Sequence, residues 1–169
     1  MKNSPKKSQM TGDLFKYALI AVVSVVILAM GYQMVRVIKD RACSTDIAKF
    51  EIDLKNIDKS LRFGVRELQT YNSPCNVKRI YFFDLSKSID AEKFSGFPII
   101  KDTLKNEGSS NIFLVEDSKV KRSFFAGNLQ IEEPFYLCFA PSNGRISFYA
   151  EGAGRYVKIT APDNQPLCS

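Results

Sequence analysis

Between Lys16 and Arg36 the chain runs for nineteen residues without a charge, YALIAVVSVVILAMGYQMV, from Tyr17 to Val35. As a helix rising about 1.5 Å per residue this stretch reaches roughly 28 Å, close to the thickness of a bilayer's hydrocarbon core. The sequence therefore predicts one transmembrane helix over 17–35, with the lipid bilayer as its partner. Ser24 is tolerated there because its hydroxyl can bond back to the helix backbone, and Gln33 because it lies near one end. Tyr17 and Tyr32 fall near the two interfaces, where a ring with a polar tip is favoured. Lys2, Lys6, Lys7 and Lys16 precede the run while Arg36, Lys39 and Arg41 follow it. This weak asymmetry leans towards a cytoplasmic N-terminus, and so towards a single-pass protein of the cell membrane with an extracytoplasmic C-terminal part. A rival reading is a secretory signal peptide cut at Ala29-Met30-Gly31; the length of the span and the lack of a helix breaker after it favour the anchor.

No Pro or Gly interrupts the stretch from Tyr32 to Phe63, so the helix is expected to continue. Beyond Ala42 the apolar residues Ile47, Phe50, Leu54, Ile57, Leu61, Val65 and Leu68 recur at spacings of three and four. That is one stripe of an amphipathic helix over 36–72, ended by Gly64 and Tyr71-Asn72-Ser73-Pro74. The stripe is short for a coiled coil, which favours packing on a sheet of the same chain.

After Pro74 the period changes to short branched and aromatic runs separated by turns. Val77 to Phe83, Ile112 to Val115, Val120 to Phe125, Phe135 to Phe139, Ile146 to Ala150 and Tyr156 to Thr160 read as strands. Glu116-Asp117-Ser118-Lys119 and Ser142-Asn143-Gly144-Arg145 are the expected hairpin turns, the second because Asn-Gly tolerates positive φ. Asp90 is placed to cap a short helix and Pro98 to open another. The expected fold class is α+β: a membrane helix continuing into an amphipathic helix packed on an antiparallel sheet of about five or six strands. The expected divisions are a basic flank over 1–16, the span 17–35, the amphipathic helix 36–72, and a sheet domain 73–169 packed with 43–72.

The formal charge of +6 belongs mostly to the anchor: residues 1–36 carry five basic side chains against Asp13, and the rest is nearly balanced. A nucleic-acid partner is therefore not expected. The chain has no histidine, which removes the commonest general base and a major zinc ligand. No catalytic residue, metal site or cofactor is expected, and the chain reads as no enzyme; an anchored hydrolase would need convergent carboxylates that the sequence does not display. Glu132 and Glu133 are adjacent and point to opposite faces of an extended chain. Gly152-Ala153-Gly154 lacks the Lys-Ser or Lys-Thr of a phosphate loop and reads as a turn. Lys119, Lys121 and Arg122, near Phe124 and Phe125, offer an acidic ligand a basic face, although charges that protect an edge strand are the plainer explanation.

Cys43, Cys75, Cys138 and Cys168 are dispersed, with no Cys-x-x-Cys pair. Four such residues suit disulfides in an oxidising compartment, and a long loop such as Cys75 to Cys138 would contribute on the order of 4 kcal/mol. Three connectivities are open, and four small buried thiols are the alternative.

The start MKNSPKKSQMTGDLFKYALIAVV resembles the class III signal of archaeal type IV pilins and pilin-like proteins, in which a basic leader is cut just before the apolar helix. The resemblance implies Lys7 and Ser8 as the last leader residues and Gln9 as the new N-terminus, with a prepilin-type peptidase as partner. Ser8 stands where Gly or Ala is usual, and Lys16 falls early in the apolar run. Asp13 would be fifth in the mature chain, where bacterial pilins carry a Glu thought to neutralise a neighbour's terminal amine; a carboxylate at a membrane edge needs such a cation. In an uncleaved anchor, Asp13 is a solvated acid near the helix start, favoured there by the dipole. The later part resembles the ectodomains of unassigned single-pass archaeal proteins. The implied function is a structural subunit that assembles with copies of itself or other pilin-like subunits; the alternative is a monomeric anchored module binding an unknown ligand.

Overall fold

The computed structural model describes residues 7–168 other than Asn76, Glu107, Asn164 and Pro166, and for residues 7–14 and Asp40 the backbone alone. Two compact units divide the chain, Met1–Ser44 and Thr45–Ser169.

The first unit belongs to α1, a 49-residue helix over Lys7–Lys55. Every described side chain from Phe15 to Ile38 is exposed, including Val22, Ile27 and Leu28. From Phe15 onward the helix is long and apolar enough to cross a membrane. Ser24 Oγ donates to the Ile20 carbonyl at 2.8 Å, the local bond that makes a hydroxyl tolerable in an apolar helix. The Arg36 guanidinium lies 4.6 Å from the centre of the Tyr32 ring, so the first charge after the apolar run rests on an aromatic face.

The second unit is a β-sandwich. Its strands are β1 (Arg66–Asn72), β2 (Arg79–Phe83), β3 (Ile112–Glu116), β4 (Lys119–Phe124), β5 (Leu129–Ile131), β6 (Tyr136–Phe139), β7 (Arg145–Gly152) and β8 (Val157–Thr160). They form two four-stranded sheets, β1-β7-β8-β5 and β4-β3-β2-β6. The alternation of side chains along each strand explains the layers. In β7, Ile146, Phe148 and Ala150 point inward while Ser147, Tyr149 and Glu151 do not. In β2 and β3 both faces are buried: Ile80, Phe82, Ile112 and Leu114 join the core between the sheets. Tyr81, Phe83, Phe113 and Val115 enter a second cluster with Phe94 and Ile100. Phe94 comes from a 3-10 turn, Ala91–Phe94, and Ile100 from helix α3, Pro98–Lys105.

Asp90 caps that turn by accepting from the Glu92 amide, and Pro98 stands at the start of α3 (Pro98–Lys105). Glu92 then ties the two pieces together through Lys101 at 2.6 Å and Lys105 at 2.8 Å. The hydrogen bonds from these ammonium groups hold the Glu92 carboxyl down at about 2.

The end of α1 is part of the sandwich. Phe50 and Leu54, with Ile57 from the short helix α2 (Ile57–Ser60), are buried in the intersheet core, and Ile47 and Leu61 pack against it. Phe50 meets Tyr71 of β1 edge to face, while Glu51 pairs with Arg122 of β4 at 3.1 Å. Since β1 and β4 are edge strands of different sheets, this segment closes the gap between them. Burial pushes the Tyr71 phenol up to about 12, with Asp53 adding to the shift.

Three expectations need correction. The amphipathic helix does not reach residue 72: the helical stripe holds through Leu61, and Arg66–Asn72 is a strand paired with β7. Gly64 turns the chain at φ +72, where a side chain is disfavoured, and Val65 and Leu68 stay exposed. Second, the described residues form eight strands in two sheets, and β5 pairs with β8 in parallel. Third, the Asn143-Gly144 turn, with φ of +50 and +70, does not close a hairpin of paired strands. It joins β6, paired with β2, to β7, paired with β1 and β8, and so carries the chain from one sheet to the other. The other turn does close a hairpin, with Glu116 opposite Lys119 and Asp117 at φ +52.

Candidate functional site

Of the residues singled out in the sequence, the structure brings Cys138 and Cys168 together. Lys7, Ser8, Gln9 and Asp13 lie in the helical backbone of α1, and their side chains are outside the described residues. All four cysteines are disulfide-bonded. Cys138 is bridged to Cys168, so the Cys75 to Cys138 loop used above as an example does not form. The bridge holds the C-terminal segment along β6: the Cys168 amide donates to the Cys138 carbonyl at 3.1 Å, and Leu167 pairs with Phe139. Gln165 then links the sheets, accepting from the Ser147 amide at 2.8 Å and donating to the Ala140 carbonyl at 2.9 Å.

Several of the charged groups singled out in the sequence pair within the fold. Lys121 pairs with Glu116 at 2.8 Å and Arg122 with Glu51, consistent with the edge position of β4. At Glu51, partial burial opposes ionisation, but the hydrogen bonds from Lys55 and Arg122 outweigh it and lower the carboxyl. Glu132 pairs with Lys158 at 2.9 Å. Gly152-Ala153-Gly154 is the turn between β7 and β8. Among the described residues no group of three or more His, Cys, Asp or Glu side chains is placed to hold a metal ion.

The most site-like feature lies at one end of the sandwich, where the chain crosses from β4 to β5. A pocket of about 400 Å³ is lined by Leu85 to Lys87 after β2, Asn111 before β3, Phe125, Gly127 and Asn128 in the crossing, Leu129 and Gln130 of β5, and Arg155 and Tyr156 before β8. Two buried polar residues fix its walls. Asn111 donates to the Gly127 carbonyl at 2.7 Å and accepts from the Ala126 amide at 2.9 Å. Asp84 accepts from the Ser86 amide at 3.0 Å, the Ser86 hydroxyl at 2.6 Å and the Ile131 amide at 3.3 Å. Asn128 also donates to the Arg155 carbonyl at 3.3 Å, tying the crossing to the β7–β8 turn. Among the described residues no buried side-chain nitrogen or oxygen lacks a hydrogen-bond partner, so these walls are held from the backbone outward.

Leu85, Phe125 and Tyr156 remain 37%, 44% and 42% exposed around this opening. Apolar walls with a few fixed polar groups, at this volume, are the general features of a small-molecule site. Sequence reasoning did not find it, because its lining comes from four separated segments that share no motif.

No protein-family model, curated protein or solved structure matches the chain.

Proposed function

We propose that this chain is a membrane-anchored, pilin-like structural subunit. Its apolar helix bundles with copies of itself in the bilayer, and its disulfide-bonded β-domain is held outside the cytoplasm. A prepilin-type peptidase removes the residues before Gln9, and Asp13 answers the amine of a neighbouring subunit. The observation that carries this reading is α1: one unbroken 49-residue helix, apolar and exposed from Phe15 to Ile38, whose last turns supply Phe50 and Leu54 to the core of the β-domain. A side chain exposed on every face of so apolar a helix needs lipid or other helices around it. Two disulfides fit a domain in an oxidising compartment.

The test is self-association in the membrane. A photo-crosslinking phenylalanine analogue replacing Val23 or Leu28 is expected to give dimers and higher ladders of the chain on irradiation of intact cells. Only monomers carrying lipid adducts, from both positions, would contradict assembly. The second reading, a monomeric anchored binding module, is favoured by the pocket at the β4–β5 crossing.

A further inference from the structure

We propose that the pocket at the β4–β5 crossing binds a small amphipathic anion: a flat apolar body with one acidic end. This rests on the pocket being a ligand site, the second of the two readings above, and does not depend on whether the helix assembles. Leu85, Phe125 and Leu129 supply apolar surface and Tyr156 an aromatic face, in a volume of about 400 Å³ that suits a body of one or two fused rings. A flat body suits Phe125 and Tyr156 because aromatic rings favour stacked or edge-on partners.

The charge at the opening selects the acid. Lys87 and Arg155 both line the pocket and are both exposed. Neither side chain enters any of the ion pairs that occupy Lys55, Lys78, Lys101, Lys105, Lys121, Arg122 and Lys158. Among the described residues no Asp or Glu lines the pocket, and Asp84, the acid nearest in sequence, is buried and turned to Ser86 and Ile131. Two cations beside an apolar pocket, with no carboxylate among its described lining, present a local positive potential there. Arg155 offers a planar fork to a carboxylate and Lys87 a point charge. The amide of Gln130, on the same wall, can donate to the acid as well.

The probe is 1-naphthoate, with the neutral 1-naphthalenemethanol as its control. The full chain, with labelled Leu and Val methyls, is placed in phosphatidylcholine nanodiscs and titrated with each compound by NMR. Naphthoate is expected to shift the Leu85 and Leu129 methyls saturably, and to bind at least fivefold more tightly than the alcohol. The double variant K87Q/R155Q is expected to lose about five- to tenfold in naphthoate affinity, the scale of two exposed charge contacts, while its affinity for the alcohol is unchanged. Equal affinities for acid and alcohol, or a double variant that binds naphthoate as the parent does, would overturn the anion claim and leave an apolar pocket. If neither compound shifts the pocket methyls, the binding-module reading falls with it.

Discussion

Replacing Phe148 with Ala is expected to lower the unfolding free energy by about 3–5 kcal/mol, the range for deleting a buried aromatic ring. Phe148 is fully buried on β7, the strand between β1 and β8. Its ring lies 5.3 Å from that of Phe82 and 5.8 Å from that of Phe139, both on the opposite sheet, and 5.6 Å from Tyr71 on its own sheet. Removing it opens a void that three rigid rings cannot fill by rotating, so the cavity cost adds to the lost transfer energy. Phe148→Leu keeps most of the volume and should cost about 1.5 kcal/mol or less. Urea midpoints of the β-domain signal in detergent-solubilised full chain measure both. A Phe148→Ala loss below about 1 kcal/mol would mean that the two sheets are not joined through this ring cluster.

The second large effect is expected from the C-terminal disulfide. Cys138 and Cys168 are separated by 30 residues, and opening a loop of that length releases about 3–4 kcal/mol of chain entropy in the unfolded state. The double variant Cys138→Ala/Cys168→Ala is the appropriate probe, because Cys138 is buried and a serine there would add an unsatisfied hydroxyl. Under the same urea titration, a loss of about 2–5 kcal/mol is expected, with the Leu167–Phe139 pairing released first. A change under 1 kcal/mol would show that the 165–168 segment holds to β6 without the bond.

The parts of this fold that were legible in the sequence are those set by local pattern. The apolar run 17–35 is long and apolar enough to cross a membrane, and Asp90, Pro98 and the Glu116–Lys119 turn act over a few residues. The six strands read from the sequence lie where branched and aromatic residues cluster. What failed was non-local. Arg66-Glu67-Leu68-Gln69 is made of good helix formers, and Val65 and Leu68 continue the helical spacing by coincidence. Pairing of this segment with Arg145–Gly152 of β7, nearly eighty residues away, overrides that propensity. Leu129-Gln130-Ile131 is too short to stand out, and it is a strand because Val157–Ile159 lies beside it. The same limit hid the sandwich: inward and outward positions can be read along a strand, but nothing in Phe135 to Phe139 or Ile146 to Ala150 says that their partners lie in different sheets.

The pocket was illegible for that reason too. Asn111 and Asp84 look like ordinary loop polars in the sequence. They matter because folding buries them, to 1% and 0% exposure, where they bind the crossing between the sheets. That Lys87 and Arg155 stand beside one apolar opening can be recognised only once folding has brought their two segments together.

The most direct test of the pilin-like account is the intact mass of the protein extracted from its own membranes, taken before and after reduction. The account predicts a chain that begins at Gln9 and gains the four hydrogens of two opened disulfides on reduction. A chain that keeps the residues before Gln9 would contradict it, and would leave an uncleaved anchor carrying a binding domain.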